Sequence, residues 1–284
     1  MSVLDGPWTH KFLISNGIKL HYVTQGEGPL VLLLHGFPEF WYSWRHQIPI
    51  LAATFKVVAL DLRGYNESDK PPDVGSYALE ELVLDIEGVI SSLGYERCIL
   101  VGHDWGGFLA WGVAETYPQR IQKLCLLNAP HPAKFCQGLF DPQQLLSSWY
   151  IGLFQLPWLP ETLLAWNDYQ AIVTILQSNA INQTAFTPAD LEAYKNAASR
   201  RGALRAMLNY YRNLAPGLGE RDWPILNIPT LMLWGEGDKT LSQNLTLGTE
   251  EYVRDLRIHY IPHCGHWVQQ EQPQLVNQYL SEFL

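Results

Sequence analysis

The residue best placed to do chemistry in this chain is Asp104, within Val101-Gly102-His103-Asp104-Trp105-Gly106-Gly107. Residues 97–101 before it form an apolar run short enough for a buried strand. Residues 108–114 after it form an apolar stretch closed by Tyr117-Pro118, which reads as a buried helix. A strand turning sharply into a helix, with glycine two positions before and two after the central residue, is a nucleophile elbow. The turn is tight, and side chains at the glycine positions would collide with the strand or the helix. Serine at the centre would make an acyl-enzyme from an ester or amide. Aspartate instead can displace a leaving group at a saturated carbon and form an alkyl ester. A strained epoxide carbon and a carbon bearing halide both suit it. The ordinary use of such an aspartate is to cap the following helix, but the glycines and the apolar strand point to a nucleophile.

An ester on Asp104 must be hydrolysed, which calls for a base, an acid to orient it and donors for the oxyanion. Two late strand ends offer the first pair. Residues 230–234 lead into Gly235-Glu236-Gly237-Asp238, and residues 256–261 lead into His263-Cys264-Gly265-His266-Trp267. His266 is preferred to His263 because it follows Gly265 in a loop that can turn back toward the elbow. Asp238 is preferred to Glu236 because it lies further out in its loop. Nucleophile, acid, histidine is the chain order this architecture uses. An earlier apolar strand, residues 30–34, runs into His35-Gly36-Phe37-Pro38-Glu39, where half of an oxyanion hole belongs. The backbone N–H groups of Phe37 and Trp105 are the candidate donors.

The elements that must hold these groups are legible as periodicity. Residues 11–23 form a hairpin about Asn16-Gly17. Further strands are expected at 56–60 and 121–127, and Leu79, Leu82, Val83, Ile86, Val89, Ile90 and Leu93 keep helical spacing up to Gly94. Strand and helix alternate from Leu30 onward, which predicts an α/β fold: a mostly parallel sheet, helices on both faces, right-handed crossovers. Asp61 and Arg63 at a strand end are read as a charged pair tying down a loop. From 133 to 222 the strands stop and only helical segments remain, one of them starting at Thr187-Pro188-Ala189-Asp190. The expected organisation is a core of residues 1–132 and 223–284 with an inserted helical lid at 133–222. Trp149, Phe154, Leu156, Trp158, Trp166 and, beyond the last strand, Trp267 are the pocket candidates.

The 284 residues carry a formal net charge of −9, which argues against a nucleic-acid partner. No apolar stretch reaches the length of a membrane span, and residues 1–10 lack a secretory pattern. Four scattered cysteines, Cys98, Cys125, Cys136 and Cys264, include no CxxC pair and fit reduced thiols in the cytoplasm. No metal-ligand cluster is visible, and the chemistry above needs neither metal nor organic cofactor.

With these motifs in order, the chain resembles an α/β-hydrolase of the epoxide hydrolase family, nearly end to end. The resemblance rests on residues 35–39, 102–107, 235–238 and 264–267. Haloalkane dehalogenases share much of it, including the Asp-Trp pair. The resemblance adds two lid tyrosines that hydrogen-bond the epoxide oxygen in the family. They match Tyr150 in Tyr150-Ile151-Gly152-Leu153-Phe154-Gln155 and Tyr211 in Asn209-Tyr210-Tyr211-Arg212-Asn213. Ring opening puts charge on a basic alkoxide, to which a phenol of pKa about 10 can donate at neutral pH. A halide leaves without a proton. Tyr210 is turned about 100° from Tyr211 on a helix, so the two cannot share one face. Haloacid-type relatives carry arginine after the nucleophile, where Trp105 stands here. Asn66 departs from the glycine common in the wider fold.

The resemblance therefore implies an enzyme turning a small lipophilic epoxide into a vicinal diol through Asp104, His266, Asp238, Tyr150 and Tyr211. A dehalogenase using the same nucleophile, and a hydrolase-fold protein that binds a lipophilic ligand without turnover, are the alternatives. No motif encodes the particular epoxide or the oligomeric state.

Overall fold

The computed structural model describes residues 3–214 and 222–284. The first two residues of the N-terminal segment, and 215–221 of the expected lid, lie outside the described residues. The chain opens with the hairpin β1 (Thr9–Ser15) and β2 (Ile18–Gln25). Asn16 and Gly17 both have positive φ, 47° and 73°, as a two-residue turn of this hand requires. The hairpin joins one eight-stranded sheet of order β1-β2-β4-β3-β5-β6-β7-β8. β3 (Leu30–Leu34), β4 (Lys56–Leu60), β5 (Cys98–His103), β6 (Ile121–Leu127), β7 (Thr230–Gly235) and β8 (Leu256–Ile261) run parallel. β3 and β5 are buried along their whole length, which is why they read as unbroken apolar runs.

The order places the site. The chain leaves β3 to one side to form β4, then crosses to the other side to form β5. Such a reversal opens a crevice beyond the carboxyl ends of β3 and β5. The residues beyond these two ends are 35–39 and Asp104. Leu34 is in register with Gly102, so the two ends lie side by side.

Helices α1 (Ile48–Leu51), α2 (Leu79–Ser92) and α3 (Trp105–Thr116) lie between the first core strands. α2 buries Leu82, Val83, Ile86, Val89 and Ile90 and stops before Gly94, whose φ is 83°. Asp61 and Arg63 tie the chain down through separate partners rather than as a pair. Asp61 Oδ2 lies 2.7 Å from His21 Nδ1 and accepts from Asn66 Nδ2, while Arg63 grips Asp85 of α2.

Between β6 and β7 come α4 (Pro132–Gly138), α5 (Pro142–Ser147), α6 (Trp149–Phe154), α7 (Leu159–Ser178), α8 (Pro188–Ser199) and α9 (Ala203–Arg212). The first of these helices opens at Pro132. α8 begins in a full capping box between Thr187 and Asp190. α7 is broken inside, where Asn167, Asp168 and Tyr169 all have positive φ. α10 (Val268–Glu271) and α11 (Pro273–Phe283) end the chain. No helix among the described residues is long and apolar enough to cross a membrane.

Candidate active site

Asp104 stands at the joint of β5 and α3 with φ 50° and ψ −119°. A non-glycine residue held there is strained, and packing on every side must enforce it. Gly106 supplies part of that packing. A Cβ on it would sit 2.2 Å from the carbonyl oxygen of Leu34, so only glycine lets α3 seat against β3. Gly36 does the same opposite: a Cβ there would lie 2.5 Å from the Cβ of Asp104.

The carboxylate is held at both ends. Phe37 N–H donates to Asp104 Oδ1 at 2.8 Å, and His266 Nε2 lies 3.6 Å from Oδ2. Among the described residues, Trp105 N–H makes no such bond to Asp104. His266 Nδ1 is 2.8 Å from Asp238 Oδ2. Glu236 and His263, the rival acid and base, are both exposed.

Sequence reasoning missed four supports of this set. Asn128, just past β6 with φ 42°, donates through Nδ2 to Asp238 Oδ2 at 2.5 Å and accepts from Gly235 N–H. Thr240 and Leu241 N–H groups hold the other Asp238 oxygen. His103, beside Asp104, bridges the Glu39 carboxylate at 2.7 Å and the His266 carbonyl at 2.9 Å. Glu271 accepts from Gly265 and Trp267 N–H on the histidine loop, and from Ile181 and Asn182 N–H on the insertion. Only Asn128 left a signal, a polar residue at the strand end where the βα alternation stops.

Charge is distributed to match. Burial opposes ionisation of all three groups. The Asp238 and Asp104 carboxylates nevertheless hold the His266 imidazole well above the usual histidine range. His266 in return brings Asp104 and Asp238 below the usual carboxylate range. Burial, followed by the Asp104 charge, raises the Tyr150 phenol, so it stays protonated. Tyr211 moves the same way through burial, Tyr150 and Asp104.

A cavity of about 610 Å³ reaches the carboxylate, lined by Phe37, Tyr150, Phe154, Tyr211, His266 and Trp267 among others. A smaller recess of about 60 Å³ shares Asp104, Tyr150 and Tyr211 and is otherwise walled by apolar side chains and Trp105. The two tyrosine rings meet edge to face, 5.9 Å apart. Tyr210 points the other way and donates to the Arg63 carbonyl at 2.7 Å. Trp149 lines the larger cavity at its exposed rim. Leu156, Trp158 and Trp166 do not line it, which corrects the expectation from sequence. Leu156 and Trp158 fall past the end of α6, and Trp166 sits at the break in α7 facing an outer cleft with Lys70 and Arg201. No group of three or more metal-capable side chains occurs among the described residues.

The fold and this site define a class. Residues 29–273 match the model of the alpha/beta hydrolase fold family. Human epoxide hydrolase 4 is 42% identical over 277 residues, 95% of this chain and 76% of that protein. An AB hydrolase superfamily protein of Bacillus subtilis, YfhM, is 42% identical over 96% of this chain and 97% of its own length. The crystal structure of a Bacillus megaterium epoxide hydrolase bound to an inhibitor superposes with a TM-score of 0.91 at 37% identity, covering 96% of this chain and 99% of the other. The chain belongs to the α/β-hydrolase fold family, in its epoxide hydrolase branch.

Proposed function

We propose that this protein hydrolyses a lipophilic epoxide to a vicinal diol in two steps, with residues 133–222 as the lid over the site. The observation that carries the reading is the Asp104 carboxylate. It is held by Phe37 N–H, faces His266 Nε2, and shares one cavity with the phenols of Tyr150 and Tyr211.

In the first step an Asp104 oxygen attacks a ring carbon and the C–O bond breaks toward the ring oxygen. Tyr150 and Tyr211 donate to that oxygen, and one phenol gives up its proton. The resting His266 is held protonated partly by the Asp104 charge, which vanishes when the ester forms. Burial, opposed now by Asp238 alone, then draws the imidazole down toward a working base. In the second step His266 takes a proton from water, whose oxygen attacks Cγ of Asp104. The Phe37 N–H stabilises the oxyanion, with Trp105 N–H as a second donor once the intermediate forms. The proton shed by the resting His266 imidazolium restores the tyrosinate, and the two water protons finish on the diol hydroxyl released from the ester and on His266, which regains its resting charge.

Two unequal recesses beside the carboxylate suit an epoxide with one large and one small substituent. Halide departure would leave both phenols without a task, which favours the epoxide over a haloalkane. Cys98, Cys125 and Cys264 are free thiols and support a reducing compartment such as the cytoplasm.

His266→Gln tests the covalent step. This variant should still be alkylated, and intact-protein mass spectrometry should show an adduct equal to the whole epoxide, because ring opening expels nothing. In a single turnover of the unmodified enzyme in ¹⁸O-water, label should enter the Asp104 carboxylate. Label found directly in the diol, with Asp104 unlabelled, would make Asp104 a base and end the two-step reading.

A further inference from the structure

Residues 142–160, from the start of α5 to the first turn of α7, contain no Asp, Glu, Lys or Arg. A buried segment could be neutral for packing reasons, but this one is not buried. Leu146 is 74% exposed, Trp149 67% and Trp158 70%, and Phe140 just before the run is 90% exposed. Leu145 and Leu156 are exposed as well. Of eleven tryptophans in the chain, the three exposed ones are Trp149, Trp158 and Trp166, all between the start of α6 and the break in α7. Monomeric proteins scatter exposed apolar side chains, so a concentration on one uncharged segment marks a contact surface.

The position of the surface says what it contacts. Leu146 and Trp149 are exposed and also line the cavity whose floor holds Asp104 and His266. The apolar face therefore borders the cavity and continues into it at Leu146 and Trp149. A protein docked there, including a second copy, would close the entrance. A lipid surface would leave it open to whatever is dissolved in the lipid. Tryptophan also favours the boundary between water and hydrocarbon. The absence of charge on the segment and the net charge of −9 rule out attraction to anionic headgroups.

We propose that Phe140, Leu145, Leu146, Trp149, Leu156 and Trp158 form a face that seats the lid on an uncharged lipid surface. The cavity mouth at Leu146 and Trp149 then opens toward the acyl phase, from which a lipophilic epoxide enters without crossing water. Adsorption stands on the surface alone; the delivery of an epoxide rests on the function proposed above.

Flotation of the whole chain with phosphatidylcholine vesicles, without substrate, tests adsorption by itself. The unmodified chain should co-float equally at about 0.1 M and about 0.5 M salt, since no ion pair holds it. Adding phosphatidylglycerol should weaken the binding. The double variant Phe140→Glu, Leu145→Glu alters no residue that lines the cavity. It should partition on the order of tenfold or more weakly, with its turnover of a water-soluble epoxide unchanged. Phosphatidylcholine brominated on its acyl chains should quench tryptophan emission of the unmodified chain, a readout that needs no variant. Failure to float overturns the proposal, as does binding confined to phosphatidylglycerol at low salt. A dimer that the double variant dissociates overturns it too, by giving the face to a second copy. A chain that floats yet opens no epoxide supports the lipid face and refutes the delivery.

Discussion

Asp104 and His266 share one charge balance, and it can be measured at each residue. Asp104→Asn keeps the shape of the carboxylate but removes its charge, as the ester would. Burial then works against the His266 imidazolium with only Asp238 opposing it, so the histidine pKa should fall relative to the unmodified protein. Titration of the His266 ring by NMR reads this directly, and an unchanged value would mean that ester formation does not set the base. The sign for stability follows. A raised histidine pKa contributes stability that is complete below the unfolded value near 6.5 and is lost as pH rises through the folded one. The depressed carboxylates contribute stability above about 3.8, lost as pH falls through their folded values. The two tyrosines form a second residue-level test. Tyr150→Phe or Tyr211→Phe should each slow ring opening by about 10²–10³, and the double change more, in single-turnover kinetics. Tyr210→Phe should leave that rate near normal, because its hydroxyl serves the Arg63 carbonyl. Equal losses at Tyr210 and Tyr211 would contradict this division. Asp104, His266 and Asp238 were legible because each is a reactive type beside a strand end. His103 was not, because its partners Glu39 and His266 lie far away in sequence, and Asn128 showed only as a polar residue at a strand end.

At the scale of elements, the elbow depends on how closely α3 approaches β3. Gly106→Ala would set a Cβ 2.2 Å from a backbone carbonyl oxygen, which cannot swing aside as a side-chain tip can. The helix must retreat, carrying Trp105 and the Asp104 backbone with it. A loss of about 3 kcal/mol or incomplete folding is expected, at the upper end for overpacking. Gly152→Ala in α6 meets nothing within 4 Å and should be neutral or stabilising by up to ~1 kcal/mol. Urea unfolding of both variants checks the contrast, and a Gly106→Ala protein as stable as its parent would mean the approach is not tight. Periodicity gave away the parallel strands, since a buried strand must be continuously apolar. It failed inside the insertion. The break of α7 at residues 166–169 carries no glycine or proline, and three left-handed residues in a row are held by the fold around them. Across such a break a sequence cannot carry helical phase, so Trp166 was assigned to the pocket although it faces the outer cleft. Leu156 and Trp158 failed for the related reason that α6 ends at Phe154.

At the scale of the molecule, the insertion and the histidine loop are joined through one carboxylate. Glu271 is buried at the end of α10. Its Oε1 accepts from Gly265 N–H at 3.0 Å and Trp267 N–H at 3.2 Å, on either side of His266. Its Oε2 accepts from Ile181 N–H at 2.7 Å and Asn182 N–H at 2.9 Å, in the insertion between α7 and α8. The His266 N–H in turn donates to the carbonyl of Asn179. The position of His266 is thus set jointly by its own loop and by residues 179–182. In Glu271→Gln one oxygen becomes an NH₂ group, and either orientation sets it against two N–H donors. Gly265 N–H reaches both oxygens, so NH₂ in place of Oε1 orphans Trp267 N–H, and in place of Oε2 it orphans Ile181 and Asn182 N–H. Each buried donor left unpaired costs about 1–3 kcal/mol, so unfolding free energy should fall by a few kcal/mol. Glu250→Gln, at an exposed carboxylate, should change it by no more than about 0.5 kcal/mol. The kinetic consequence is specific. In the proposed mechanism ester formation uses Asp104 and the two tyrosines, which Glu271 does not touch, whereas ester hydrolysis uses His266. Single-turnover mass spectrometry of Glu271→Gln should therefore show ester accumulating, with its formation nearly as fast as in the parent and its decay slowed. Equal slowing of both steps would mean that the carboxylate holds the whole site rather than the base. Unchanged stability and kinetics would mean that the insertion and the histidine loop are positioned independently of each other.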